Sequence, residues 1–139
     1  MVNKLILHSD GGSRHNPGPA AIAFVLHDEK GRLLDQGGKF LGTQTNNEAE
    51  YLALLWGMQE AASHLPAELT CCLDSELVVN QLNGFYRIKK PHLAQLTVKI
   101  KEAEKLFAKV TYVYVPREEN DLADALVNKV LDENGCPKS

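Results

Sequence analysis

The chain has 139 residues, of which 44% are hydrophobic and 24% charged, and 15 Lys and Arg against 18 Asp and Glu give a formal net charge of −3. Such values suit one soluble domain large enough to bury a core without cross-links, and they exclude a disulfide scaffold, collagen and wholesale disorder. No apolar run approaches the ~20 residues of a membrane span, and Met1-Val2-Asn3-Lys4 leads into a strand without a secretory apolar region, so a cytoplasmic protein with no membrane association is expected.

Leu5, Ile6 and Leu7 mark a first strand ending near Asp10. Ala20 to His27 and Arg32 to Leu41 follow as two more, joined at Asp28-Glu29-Lys30-Gly31, a spacing that predicts an antiparallel meander. Thr45-Asn46-Asn47-Glu48 has the hydroxyl and the carboxylate three residues on that make a capping box, opening a helix from about Asn46 to His64 before Pro66. Leu69, Cys71 and Leu73 mark a fourth strand stopping at Asp74. Either Asp74 or Ser75 can cap a short helix through Leu82, with Asn83-Gly84 as its stop. After Pro91, helical spacing at Leu93, Leu96, Ile100, Ala103 and Phe107 predicts another helix. Val110 to Val115 is a fifth strand, Pro116 to Asn120 a loop, and Asp121 to about Glu133 a last amphipathic helix. The order β-β-β-α-β-α-α-β-α predicts an α/β fold, a mixed five-stranded sheet with helices on both faces. One domain over residues 1–133 is expected, with a short tail of loose composition at 134–139.

The three cysteines have no zinc-like spacing. Adjacent Cys71 and Cys72 point to opposite faces of a strand, Cys136 lies in the tail, and free thiols fit a reducing compartment.

Most acids here sit on ordinary solvated positions, but four do not. Asp10 and Asp74 each follow the apolar run of a strand, where ligand sites collect in open α/β sheets. Glu50 shares a helix face with Ala53, Leu54, Gly57, Met58 and Ala61, a stripe suited to packing on a sheet, whereas Glu48 points nearly the opposite way and has a capping role. A carboxylate on a core-facing stripe is costly unless it is paired or binds a metal. Asp121 is accounted for by the helix dipole. Asp124, one turn further on, lies among Ala123, Ala125, Leu126 and Val127 with no Lys or Arg three or four residues away. Four carboxylates without clustered Cys or His are a hard oxygen donor set of the kind Mg²⁺ or Mn²⁺ prefers.

Four motifs, Asp10-Gly11-Gly12-Ser13 with Asn16-Pro17-Gly18-Pro19, Thr45-Asn46-Asn47-Glu48-Ala49-Glu50-Tyr51, Asp74-Ser75 and Asn120-Asp121-Leu122-Ala123-Asp124, stand in an order that resembles the type 1 ribonuclease H family over essentially the whole chain. The resemblance implies endonucleolytic cleavage of the RNA strand of an RNA/DNA hybrid, leaving 5′-phosphate and 3′-hydroxyl ends. It implies two Mg²⁺ ions, with Mn²⁺ as a substitute, held by Asp10, Glu50, Asp74 and Asp124. Asp10 would bridge the ions, Asp124 would share the one that activates the attacking water, and Glu50 with Asp74 would hold the one at the leaving oxygen. Gly11, Gly12, Ser13 and Asn16 resemble the loop that approaches RNA 2′-hydroxyls, Asn46 and Asn47 the minor-groove pair, and Thr45 a contact to a DNA phosphate. No protein partner is implied, and a monomer is expected.

Two departures place the chain in a shorter subgroup. Many members insert a basic, tryptophan-containing protrusion after the helix that follows the third acid, whereas Gly84 to Pro91 offers only Arg87, Lys89 and Lys90. Many carry a histidine in the loop before the last acid, whereas Pro116-Arg117-Glu118-Glu119-Asn120 has none. Arg117 is the nearest substitute there, as a contact to phosphate or departing product, and His8, His15, His27, His64 and His92 read as strand, turn or surface residues. Setting the four acids aside turns the net charge from −3 to +1, so acidity does not exclude a nucleic-acid substrate. A 3′–5′ exonuclease would carry a second acid at Gly12, and a non-catalytic hybrid-binding module would lack one of the four acids.

Overall fold

A computed structural model of the chain describes residues 3–138. Its five strands are β1 (Lys4–Ser13), β2 (Gly18–Asp28), β3 (Leu33–Gln44), β4 (Glu68–Leu73) and β5 (Lys109–Tyr114). Its helices are α1 (Asn46–Ala62), α2 (Glu76–Leu82), α3 (Pro91–Glu104) and α4 (Asp121–Glu133). The sheet order is β3-β2-β1-β4-β5; the β1–β2 and β2–β3 pairs are antiparallel, and β1–β4 and β4–β5 are parallel. This is the expected mixed sheet, reached because the first two connections are short and the later ones pass through helices.

Alternation along the strands divides the core. Leu5 and Leu7 of β1, Phe24 and Leu26 of β2 and Leu69, Cys71 and Leu73 of β4 join Tyr51, Leu54 and Met58 of α1 and Ile100 of α3 in the main cluster. Ala21 and Ala23, on the other face of β2, pack under Val127 and Leu131 of α4. Helices therefore cover both faces, and the small alanines let α4 lie close to the sheet.

Several boundaries differ from the sequence expectation. The first three strands run longer, because strand pairing continues through Asp10-Gly11-Gly12-Ser13 and its partners Ala20 to Ala23, where apolar alternation has already stopped. Helix α1 stops at Ala62 rather than His64, with Ser63 as its C-cap. Helix α3 stops at Glu104, and Phe107 reaches the core from the following turn. Ser75, not Asp74, caps α2, its Oγ accepting from the Val78 N–H at 3.3 Å. The loop before α4 contains a 3₁₀ turn at Arg117–Glu119. The tail is not loose over its first residues: Cys136 packs against the α4 cluster, and its N–H donates to the Leu131 carbonyl at 3.0 Å. All three cysteines are free, with Cys71 and Cys72 buried.

Among the glycines, Gly11 brings strand and helix backbone closest together. A Cβ placed there would lie 2.2 Å from the Ala49 carbonyl oxygen of α1, whereas one at Gly12 would meet nothing nearer than 3.9 Å. Gly11→Ala is expected to cost about 3 kcal/mol or more, since backbone rather than a flexible side chain must move, while Gly12→Ala stays within about 0.5 kcal/mol. Urea unfolding of the two variants measures the contrast.

Candidate active site

Strands β1 and β4 stay paired only as far as His8 and Cys72. Asp10 and Asp74 each lie two residues beyond that last pair, on the same side of their strands, so the fork between the strands opens between two carboxylates. Helix α1 supplies the third. Its N-terminus is fixed by a complete capping box: Thr45 Oγ1 accepts from the Glu48 N–H at 3.1 Å, and Glu48 Oε1 accepts from the Thr45 N–H at 2.8 Å. Glu50, one half-turn on, points inward with 7% of its surface exposed, against 6% for Asp10. Glu48 faces α3 and meets His92 Nε2 at 2.9 Å. The helix-face argument thus separates the two glutamates as expected.

Ligand-capable oxygens of Asp10, Glu50 and Asp74 lie within 4.8 Å of one another. Asp124, half-buried on α4, stands outside that cluster but lines the same open cleft of about 590 Å³. The cleft wall also includes Gly11, Gly12, Ser13, Asn46, Asn47 and Arg117. Asn16 and Thr45 are set behind it: Asn16 Oδ1 accepts from the Asn46 N–H at 3.0 Å, and Asn46 Oδ1 accepts from the Ser13 N–H at 2.9 Å. The approach loop and the start of α1 are therefore one bonded unit, which leaves the Asn46 amide donors for a ligand.

Three of the four acids, Glu50, Asp74 and Asp124, are held by neutral donors. Gly11 N–H donates to Glu50 Oε1 at 3.0 Å. Asn120, only 1% exposed, donates from Nδ2 to both the Ser9 carbonyl (3.0 Å) and Asp74 Oδ2 (3.1 Å), filling the fork where the strand ladder ends. Asn128 Nδ2 reaches Asp124 Oδ2 at 3.4 Å. Sequence reading missed Asn120 and Asn128 as site residues. The one signal available for Asn120 was its place at the head of the last motif.

Burial, then the neighbouring carboxylates, pushes Asp10 and Glu50 toward their neutral forms. Asp10 is raised to about 7 by burial, opposed first by its hydrogen bond with the Glu50 carboxyl and last by the exposed Arg117, and Glu50 is raised well above the usual carboxylate range by burial and then by Asp10. Glu50 Oε2 is buried without a hydrogen-bond partner. An orphaned, inward-facing oxygen among three carboxylates fits a hard divalent cation, whose charge would reverse these shifts.

A raised carboxyl pKa means that the native state binds more protons than the unfolded chain, so stability falls as pH rises from about 4, the ordinary value, to about 7. Asp28 and Glu48, both held below the usual range chiefly by backbone N–H groups, act oppositely at the acid end of that window. In chelator, the melting temperature is therefore expected to drop between about pH 5 and 7.5 in the native sequence and less in Glu50→Gln, because one buried charge is gone. Mg²⁺ should restore the former and leave the latter nearly unchanged; calorimetry across pH, with and without metal, reads both outcomes.

Comparison with known proteins agrees with this geometry. The family described as "Reverse transcriptase-like" matches residues 8–130. A bifunctional protein of Mycobacterium tuberculosis is 37% identical over 130 residues, covering 93% of this chain and 36% of the relative, so the chain spans about a third of that relative's length. A ribonuclease HI of Halobacterium salinarum is 40% identical over 124 residues, covering 89% of this chain and 62% of the relative. The crystal structure of RNase H1 from that archaeon superposes with a TM-score of 0.92 at 37% identity, covering 94% of this chain and 99% of the other. LC11-RNase H1, solved in complex with an RNA/DNA hybrid, gives 0.89 at 37% identity over 94% and 98% of the two chains. By the matched span, the sheet order and the placement of its acidic motifs, the chain belongs to the type 1 ribonuclease H family.

Proposed function

We propose that this chain hydrolyses the RNA strand of RNA/DNA hybrids internally, leaving 5′-phosphate and 3′-hydroxyl ends. The observation that carries the reading is the convergence of Asp10, Glu50, Asp74 and Asp124, from β1, α1, the end of β4 and α4, on one cleft floored by a glycine-containing approach loop. Solution of a 37%-identical relative with a hybrid supports the substrate class. The four carboxylates would hold two Mg²⁺ ions, or Mn²⁺ in their place. When bound, the ions supply charge neutralisation at the scissile phosphate and at the attacking and leaving oxygens of an in-line displacement.

The chain's own residues do the positioning. Gly11 and Gly12 present backbone without side chains, so a ribose 2′-hydroxyl can come close, and that hydroxyl is what distinguishes RNA from DNA. Ser13 and Asn16 brace this loop against α1. Asn46 and Asn47 would offer side-chain amides at the helix start to base edges in the minor groove, and Thr45, besides capping α1 from behind the cleft wall, would contact a DNA phosphate. The segment Gly84–Lys90 takes the place of the longer basic protrusion with the exposed Phe85 and Tyr86 and three cations. Residues 1–133 would form the catalytic unit, acting as a monomer. Its free thiols suit the cytoplasm, and among the described residues no helix is long and apolar enough to cross a membrane.

A cleavage assay on hybrid, single-stranded RNA and double-stranded DNA tests the reading. Only the RNA of the hybrid should be cut, and chelator should abolish cutting; binding of hybrid without cleavage in either metal would favour a non-catalytic binding module. Glu50→Gln and Asp124→Asn should each lower turnover by orders of magnitude. Glu48→Gln and Asp121→Asn should cost at most about 1 kcal/mol of helix-end stability and leave turnover nearly intact. Equal losses within either pair would contradict the assignment.

Arg117, exposed at the cleft edge, cannot accept a proton near neutral pH, so its contribution would be attraction of phosphate or product. Arg117→Ala is expected to slow steady-state turnover more than single-turnover cleavage, with partial recovery in Arg117→Lys. Unchanged rates in both regimes would make it an ordinary surface charge.

A further inference from the structure

The chain beyond α4 turns back toward the cleft. Gly135, with φ of +70°, makes the turn, and Cys136 is then fixed from both sides. Its N–H donates to the Leu131 carbonyl, and its own carbonyl accepts from Arg14 Nη1 at 2.6 Å. Arg14 belongs to the approach loop, yet it is 5% exposed. Besides Cys136 it pairs with Asp132 at 2.8 Å and donates to Asn128 Oδ1 at 3.2 Å. A guanidinium so fully engaged and so deeply covered is a strut between the loop, α4 and the tail, and it is not available to a substrate.

The strut decides where the next residues go. Lys138 lies on the cleft wall with Gly12, Ser13, Asn128 and Leu131. Three cations line this cleft, Arg14, Arg117 and Lys138. With Arg14 committed to Asp132, only Arg117 and Lys138 are exposed, and Lys138 makes no ion pair among the described residues. Their anchor points are far apart: Arg117 precedes the start of α4, and the tail is tied at Leu131, about 15 Å along that helix. A cleft holding four carboxylates repels a polyanion unless cations flank it. Cations on two separate elements of one cleft can meet different phosphates of one strand.

We propose that the tail forms one wall of the substrate site and that Lys138 contacts a backbone phosphate of the hybrid. The strand is the RNA strand, because the approach loop beside Lys138 is the element assigned to RNA above. This inference rests on the proposed function, and the following experiment separates the two.

Hybrid binding by the full chain is measured in chelator, where no cleavage occurs, by fluorescence anisotropy over a series of salt concentrations. Lys138→Ala should weaken binding about threefold or more at low salt and reduce the slope of log affinity against log salt by just under 1. Lys138→Arg should restore both. Lys129→Ala, which removes an exposed α4 charge outside the cleft, is the control and should change neither. Neutral methylphosphonate linkages in the RNA strand should erase the difference between the native sequence and Lys138→Ala, and the same linkages in the DNA strand should preserve it. Behaviour of Lys138→Ala like that of Lys129→Ala, or a difference erased from the DNA strand instead, overturns the proposal. Failure of the unsubstituted chain both to bind hybrid in chelator and to cleave it in Mg²⁺ would count against the proposed function itself.

Discussion

The backbone contact between Gly11 and Ala49 is the constraint on which the rest of the site depends. Because no side chain separates β1 from α1 there, the helix sits directly on the strand and its next residue reaches the strand's own N–H. That bond fixes one oxygen of Glu50 and turns the other toward Asp10. The small residues along the inner face of α1, Ala49, Ala53, Gly57 and Ala61, keep the helix at this distance along its length. Close packing, which elsewhere in the protein serves stability, here sets the spacing of two acids.

That spacing is held against repulsion. Asp10 and Glu50 are both buried and both displaced toward neutrality, which identifies them as charges the fold tolerates without neutralising. A lysine or arginine among them would relieve the repulsion at once and would also occupy the place of a cation. The structure instead uses a backbone N–H, Asn120 and Asn128, donors that orient a carboxylate without cancelling its charge. The nearest cation acting on Asp10, Arg117, is exposed and sits at the rim. The acids therefore keep their capacity to bind metal, at a cost in stability that binding would return.

Much of this was legible in one dimension because it obeys short periods. Glu50 and Glu48 differ by two positions on a helix, and that difference alone sends one into the core and the other to a cap. Thr45 and Glu48 announce the start of α1 through chemistry between neighbours. The extension of β1 through Gly11 and Gly12 was invisible, since glycines carry no alternation and the pairing with Ala20 to Ala23 comes from the partner strand. Asn120 could not be placed because both of its acceptors are remote in sequence, at Ser9 and Asp74. The anchoring of the tail was out of reach for the same reason. Asn134, Gly135 and Pro137 look like a loose end, and what fixes the segment is an arginine more than a hundred residues earlier.

Net charge illustrates how position overrides composition. A formal charge of −3 suggests indifference to nucleic acid, yet the acids concentrated in the cleft are the ones that two divalent ions would offset, bringing the loaded chain to +1. Recognition of a polyanion then relies on few cations, so their location matters more than their number. Arg14 shows the distinction: it lines the cleft, but its charge is spent on Asp132 and on a carbonyl, and its effect on a substrate is exerted through the elements it holds in place. Arg117 and Lys138 contribute field directly, one from the loop before α4 and the other from the segment that turns back after it. With so little excess charge, the proposed discrimination would fall to shape, to the glycines that would admit a 2′-hydroxyl and to the amides at the start of α1, all of which are carried by the two elements that Gly11 brings into contact.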